Sequence, residues 1–237
     1  MNGKSGNLLR IQLFYELQTI CRGPESLWGK ISQYTDTPEK YMKVIGFRTC
    51  DVMNDLSVQT SMIYVHSKFM IVDDELVLLG SANINDRSQL GVRDSELAVV
   101  VEDTEMVDGI RAGKAVKLPK FSYEWRKKVF IENFHMNDDE VKDVMDPEMW
   151  RKIDEITLRN TEVYREVFAC FPDDEIKNCT EVNDYHKKSD VSKYDKLRKD
   201  IKGIAVRWPM KFLENEKLED IQSFQFELML IPSYAWA

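Results

Sequence analysis

A histidine and a lysine two residues apart, His66 and Lys68, are the residues best suited to chemistry. Side chains two positions apart on a strand point to the same face, so the imidazole would stand beside the ammonium group. The lysine can neutralise the non-bridging oxygens of a phosphoryl group, and the histidine can act as nucleophile or proton donor near neutral pH. The pair therefore predicts chemistry on a phosphate ester.

Further polar residues follow at positions that suit the same site. Gly80-Ser81-Ala82-Asn83 combines an adaptable backbone with a hydroxyl and an amide that can donate to an anion. Glu96 could accept a hydrogen bond from the far nitrogen of a histidine and so fix its tautomer. Ser81 fits the capping of a loop or helix equally well, and Glu96 also fits an ordinary carboxylate at the start of a strand.

The elements that must position these residues form a predicted hairpin. We expect strands over residues 61–65, leading into His66, over 69–72 and over 76–79, with a turn at 73–75. The polar stretch 81–88 is expected to be a loop that opens a helix. The continuous apolar run 97–101 is typical of a strand buried on both faces.

Helical and strand patterns also surround this central part. They predict helices over 6–21, 24–34, 121–134 and 147–171, and strands over 41–48, 204–213 and 224–231. The charged stretch 172–200 is interpreted as a solvated loop and surface helix. Seven lysines and arginines between 187 and 202 could contact anionic lipid, but the aspartates among them favour a solvated face.

Composition limits the function classes. The 237 residues are 43% hydrophobic and 31% charged, enough for one large or two small globular domains. The net charge of −8, without a long basic run, counts against nucleic acid as a partner. No apolar stretch is long enough for a membrane span, and the N-terminus lacks the apolar region of a signal peptide. Any membrane contact is therefore expected to be peripheral.

The four cysteines predict neither a disulfide framework nor a zinc site. Cys21, Cys50, Cys170 and Cys179 form no C-x-x-C pair, and their spacings do not bring metal ligands together. They are interpreted as reduced thiols of a cytosolic protein.

The motif H-x-K-x4-D, formed by His66, Lys68 and Asp73 and followed by G-S-x-N, resembles the signature of the phospholipase D superfamily. YVHSKFMIVDD, GSANINDRS and RDSELAVVVEDTE resemble the second motif of the eukaryotic phosphatidylcholine-type enzymes. The similarity extends to residues 7–22, 44–49 and 156–171. It covers most of the chain and is most specific over residues 60–105.

The resemblance implies a role for each matching residue. The implied catalytic residues are His66, Lys68, Asp73 and Glu96, and the implied phosphate-binding residues are Lys68, Ser81 and Asn83. His66 would be nucleophile or general acid, Glu96 would orient it, and Asp73 would be mostly structural. No metal or other cofactor is implied, because paired histidines, lysines and asparagines handle the charge in this family.

The implied fold is α/β, with a mixed sheet flanked by helices as one lobe of a bilobal enzyme. Residues 1–105 would form the catalytic half, and residues 106–237 a helical C-terminal region packed on the same lobe. The implied activity is hydrolysis of phosphatidylcholine to phosphatidate and choline through a phosphohistidine intermediate. The implied partners are a phospholipid membrane surface, including phosphoinositide, and small GTPase regulators, for a cytoplasmic protein bound peripherally to membranes.

The count of histidines shows that only half of such a site is present. A complete site has two facing motifs, whereas His186 is followed by Lys193 at the aspartate position, and His135 begins no motif. The family's N-terminal lipid-binding modules are also absent from the sequence, and the tail at Trp236 differs from that of the animal enzymes. A second half-site would come from dimerisation or from a longer chain. The alternatives are a homodimeric single-motif phosphodiesterase or nuclease, an inactive fragment, and a non-catalytic binding partner.

Overall fold

Helices and antiparallel strands alternate in the computed structural model, which describes the backbone of residues 4–218 and the side chains of residues 10–218. The helices are α1 (Lys4–Ile20), α2 (Leu27–Ser32), α3 (Asp86–Gln89), α4 (Lys120–Phe134), α5 (Pro147–Phe168), α6 (Val182–His186) and α7 (Tyr194–Leu197). The strands are β1 (Ile45–Val52), β2 (Val58–Met62), β3 (Lys68–Val72), β4 (Leu76–Gly80), β5 (Ala98–Glu102), β6 (Met106–Arg111), β7 (Lys114–Pro119) and β8 (Ala205–Arg207). Single 3-10 turns lie at Pro38–Lys40, Asp139–Val141, Cys179–Glu181, Val191–Lys193 and Arg198–Asp200.

The strands form three sheets within the described part of the chain. Their orders are β2-β1-β8, β3-β4-β5 and β6-β7, and every pairing is antiparallel. The combination of sheets with flanking helices confirms the predicted α/β class. None of the described helices has the length and apolar character needed to cross a bilayer.

Helix α5 packs against β1 and β8 and supplies much of the core. Asp146 caps its first turn by accepting from the Glu148 backbone N–H, and Pro147 fits the first helical position. Asn160 is fully buried, and its side-chain amide donates to the carbonyls of Lys202 and Ala205, at 2.7 and 2.8 Å. The helix therefore holds the C-terminal strand β8 beside β1 through a satisfied buried amide.

The structure corrects two expectations about the middle of the chain. Residues 106–119 form the hairpin β6-β7, which the sequence did not predict. Strand β5 begins one residue after the start of the predicted run 97–101 and is not buried on both faces, because Val99 and Val100 are 50% and 55% exposed. The physical reason is that β5 is an edge strand of its sheet, and neither of these side chains is covered by the described part of the chain.

The charged region 172–200 is more deeply packed than predicted. The buried residues there are Ile176, Tyr185, Tyr194 and Leu197, and the short helices α6 and α7 with 3-10 turns replace a single surface helix. Single apolar residues in short turns leave no helical period to recognise. The late strand predicted over 204–213 is shortened to β8, and the one predicted over 224–231 lies outside the described residues.

Candidate functional site

One end of the sheet β3-β4-β5 gathers most of the predicted site residues. Lys68, the first residue of β3, lies opposite Gly80, the last residue of β4, and Gly80 lies opposite Ala98, the first residue of β5. His66 lies two residues before β3, and Ser81 directly follows β4. Antiparallel pairing thus brings together segments that lie up to thirty residues apart in the sequence.

His66 does not share a strand with Lys68, contrary to the expectation. Strand β2 ends at Met62, so His66 belongs to the connection between two sheets. The Lys68 Nζ donates to the backbone carbonyl of His66 at 2.6 Å. The His66 side chain is exposed, with its ring centroid 6.0 Å from that of Tyr64. An approaching phosphate ester can therefore reach the imidazole directly.

A hydrogen-bonded bracket joins the ends of β4 and β5. The Ser81 backbone N–H donates to the Leu97 carbonyl at 2.9 Å, and the Leu97 N–H donates to Ser81 Oγ at 3.1 Å. Ser81 Oγ also donates to the Glu96 carboxylate at 2.5 Å. Within residues 10–218, the Glu96 carboxylate is bound by Ser81 and Ser88 and has no hydrogen bond to His66. The orienting role of Glu96 thus stays a prediction, whereas its contact with Ser81 is a feature of the structure.

Hydrogen bonds hold the pKa of Glu96 below its usual 4.5, chiefly those from Ser81 and Ser88, with smaller contributions from Lys68 and Arg87. Because this pKa is lower in the folded state, ionised Glu96 stabilises the fold above pH 4.5. That stabilisation is lost as the pH falls through the folded-state pKa. We expect Ser81→Ala to raise the pKa of Glu96, as followed by the NMR shift of its side-chain carboxyl carbon. Ser67→Ala, at an exposed residue, is the matched control. An unchanged Glu96 titration in Ser81→Ala would contradict the bracket.

The loop after Ser81 is held by its own contacts. The Asn85 side chain caps α3 by accepting from the Ser88 backbone N–H at 3.0 Å. The Arg87 guanidinium and the Asp94 carboxylate form an ion pair at 2.5 Å, which ties α3 to the segment before β5. Asn83 lies exposed in this loop. Its side-chain amide is therefore accessible to a ligand.

Gly80 is required where β4 meets β5. A Cβ at this position would lie 2.3 Å from the Leu97 carbonyl oxygen and 2.8 Å from the Ala98 Cα. We expect Gly80→Ala to push the strands apart and to lower the free energy of unfolding by about 1–3 kcal/mol. Chemical denaturation measures this loss. Gly46→Ala is the control, because a Cβ there would make only a 3.6 Å contact with Val206; equal losses in both variants would refute the steric argument.

Asp73 is placed away from the other predicted site residues. It follows the far end of β3, about 16 Å along the strand from Lys68 at 3.3 Å per residue. Its side chain is exposed, its φ is +53°, and its carbonyl accepts a hydrogen bond from Arg111. These contacts agree with a structural role in the turn.

Asp74, which sequence reasoning did not select, is the buried aspartate of this turn. Its side chain is 3% exposed and accepts from Arg126 of α4 in a bidentate pair, at 2.9 and 2.8 Å. Ser122 of the same helix donates to its carbonyl. The double aspartate in the motif was the only available signal, and it does not reveal which carboxylate faces the helix.

Comparison with known proteins agrees with this geometry. The family model described as Phospholipase D matches residues 36–176. Phospholipase D1 of Homo sapiens is 35% identical over 241 residues, which is 98% of this chain and 22% of that protein. Phospholipase D zeta 1 of Arabidopsis thaliana is 33% identical over 246 residues, 90% of this chain and 22% of the relative.

Phospholipase D2 of Bos taurus is 32% identical over 225 residues, covering 90% of this chain and 24% of the relative. The chain therefore spans less than a quarter of the length of these relatives. The family model nevertheless covers more than half of the chain, including the site and helix α5. The chain belongs to the phospholipase D family.

Proposed function

We propose that this chain supplies one catalytic half-site of an enzyme that hydrolyses phosphatidylcholine to phosphatidate and choline. The observation that carries the proposal is the convergence of His66, Lys68 and Ser81 at one open end of a sheet. An exposed imidazole beside an ammonium group and a hydroxyl suits a phosphodiester, because the cation offsets the charge of the non-bridging oxygens.

The chemistry divides between two half-sites. As nucleophile, an imidazole nitrogen of His66 forms a bond to phosphorus while the bond to the choline oxygen breaks, and a proton donor in the second half-site protonates that oxygen. Water then breaks the phosphorus–nitrogen bond and releases phosphatidate. In the reverse assignment, His66 protonates the leaving choline oxygen. Lys68 and Asn83 would hold the phosphate oxygens in either case.

An exposed apolar surface on the Lys68 face of the sheet supports packing against a second half-site. Met70 and Val72 follow Lys68 on this face of β3, and Val100 faces the same way on β5. They are 49%, 41% and 55% exposed. Neighbouring apolar residues of this kind mark interaction surfaces. The short span of the chain relative to its relatives favours a longer polypeptide over a second copy as the source of the other half.

The test combines activity with molecular mass. Purified chain is assayed for phosphatidate release, alone and with a separately expressed segment that carries the other half-site, while light scattering gives the mass. Turnover only in the mixture supports the longer polypeptide, and turnover by a dimer of this chain supports self-assembly. Plasmid nicking without phosphatidate release from either sample would overturn the proposal in favour of a nuclease.

Exposed aliphatic side chains around the site favour a lipid substrate and peripheral contact with a phospholipid surface. Ile84 and Val92 are 89% and 84% exposed on the loop that carries Asn83, and Leu97 is 75% exposed next to Glu96. Contact between these apolar side chains and acyl chains is energetically favourable. Binding to a nucleic-acid backbone instead depends on cationic side chains near the phosphates. We further propose that the protein is cytoplasmic and that phosphoinositide or a small GTPase regulates it.

The double variant Ile84→Ser/Val92→Ser is expected to lower hydrolysis of phosphatidylcholine vesicles about thirtyfold, because each of the two exposed aliphatic side chains contributes roughly 1 kcal/mol of apolar contact. Hydrolysis of a short-chain, monomeric phosphatidylcholine should stay within about twofold. Tyr34→Ser, at a residue that is 89% exposed and far from this loop in sequence, is the control. An equal loss on both substrates would show that these side chains support the active site and not contact with the lipid surface.

A further inference from the structure

A separate cavity lies between β1, α5 and residues 194–203. It has a volume of about 400 Å³. Three cationic side chains (Arg48, Arg198 and Lys199), two tyrosines and the thiol of Cys50 contribute to its lining. None of the residues that line it is acidic, although the chain as a whole has a net charge of −8. The cavity is thus a locally positive site in an acidic protein.

Arg48 is the most buried of the three cationic residues that line this cavity. The residue is 8% exposed, and its guanidinium donates to Thr60 Oγ1 at 3.3 Å and to the Phe171 carbonyl at 3.1 Å. No carboxylate within residues 10–218 forms an ion pair with it. A guanidinium has five N–H donors, and a buried charge is costly without a counter-ion. Arg48 therefore has both the charge and the spare donors to bind an anion.

Arg198 and Lys199 add two exposed cations to the same cavity. The Arg198 guanidinium lies 5.7 Å from the centroid of the Tyr194 ring, which restrains its position. Neither cation forms an ion pair with a carboxylate in the described part of the chain. The neighbouring carboxylate of Asp200 is bound by Arg159 at 2.6 Å and interacts with Lys199 only at longer range.

The tyrosines leave the positive charge unopposed. Burial raises the pKa of Tyr164, which donates its hydroxyl to the Arg48 carbonyl at 3.3 Å, and burial also raises the pKa of Tyr194. Both phenols stay neutral at physiological pH. Their rings give the cavity an uncharged wall against which the cations are held.

We propose that this cavity binds a phosphate monoester, either a free phosphorylated small molecule or the headgroup of a phosphorylated lipid. A dianionic phosphate supplies the counter-charge that Arg48 lacks. Two of its oxygens can accept paired hydrogen bonds from the N–H groups of a guanidinium. Arg198 and Lys199 would close over the exposed oxygens. The cavity has no lining residue in common with the candidate catalytic site, so this binding is independent of the proposed hydrolysis.

The Cys50 thiol reports occupancy of the cavity directly. The full chain is treated with a thiol-alkylating reagent at constant ionic strength, with inorganic phosphate replacing chloride, and modification of each cysteine is followed by mass spectrometry. We expect phosphate to slow alkylation of Cys50 and to leave Cys21 and Cys179, which lie elsewhere, unchanged. Equal effects on all three thiols, or no effect on Cys50, would overturn the proposal.

Charge variants then test the assigned cations. Arg198→Gln/Lys199→Gln, at exposed positions that leave the buried Arg48 intact, should raise the phosphate concentration for half-protection of Cys50 about tenfold or more. Lys193→Gln/Lys196→Gln removes the same number of charges from the adjacent turn, outside the cavity lining, and should change it less than twofold. If both variants raise this phosphate concentration equally, the effect depends only on net charge, which would contradict a specific binding site in the cavity.

The two sources of phosphate are distinguished in a His66→Ala background, which removes the candidate catalytic histidine. Vesicles of phosphatidylcholine with added phosphatidate, compared with phosphatidylcholine alone, are tested for Cys50 protection and co-flotation. Protection by phosphatidate vesicles that Arg198→Gln/Lys199→Gln abolishes supports the lipid headgroup. Protection by inorganic phosphate but not by vesicles supports a free phosphate monoester. Absence of both contradicts the proposal, and neither result depends on hydrolysis.

Discussion

Replacing His66 with alanine is expected to lower phosphatidate release by about 10³-fold or more in whichever assembly of half-sites shows turnover. The change removes the exposed imidazole but leaves the backbone carbonyl that accepts from Lys68 at 2.6 Å. The loss should therefore fall on the chemical step, with little change in protein stability. Phosphatidate release under saturating vesicle concentrations, together with thermal unfolding of the variant, measures both effects.

The control for this prediction is His135→Ala. His135 is also exposed, but it ends helix α4 at its C-cap and begins no H-x-K-x4-D motif. Activity should stay within about twofold of the unchanged protein. Full activity of His66→Ala would show that another residue performs the step, and equal losses in both variants would point to a folding defect.

Replacing Asp74 with asparagine is expected to lower the free energy of unfolding by about 3–5 kcal/mol, whereas Asp73→Asn should change it by about 0.5 kcal/mol at most. The two neighbours differ only in where their side chains lie. Asp74 and Arg126 are 3% and 6% exposed as side chains, so the asparagine leaves a buried guanidinium without its carboxylate. Asp73 is exposed and contributes its backbone carbonyl to Arg111.

Urea denaturation of both variants measures the difference, and a third variant isolates its cause. Asp74→Asn/Arg126→Met removes both charges and should recover part of the stability lost in Asp74→Asn, because no buried charge is then left unpaired. The loss of the Arg126 bond to the Val141 carbonyl limits this recovery. Similar losses from Asp73→Asn and Asp74→Asn would show that the turn backbone, and not the ion pair, stabilises the hairpin.

Much of the scaffold around the site could be predicted because its signals are local. The apolar runs of β3 and β4, the turn between them and the apolar face of α5 each depend on neighbouring residues, where spacing reflects geometry. The hairpin β6-β7 was missed because its strands are only six residues each and neither alternates apolar with polar residues. Such short strands gain their stability from pairing with each other, which no single segment reveals.

The sequence by itself determined the family, and it predicted the pair His66 and Lys68 and a single half-site, because these depend on residue type, spacing and number. Only the tertiary structure decided that Asp74 is buried where Asp73 is exposed, and that Ser81 and not His66 binds the Glu96 carboxylate. It alone brought Arg48 together with Arg198 in one cavity. The reason is physical: spacing along a chain sets which residues share an element, whereas burial and the choice of partner depend on contacts between elements distant in sequence.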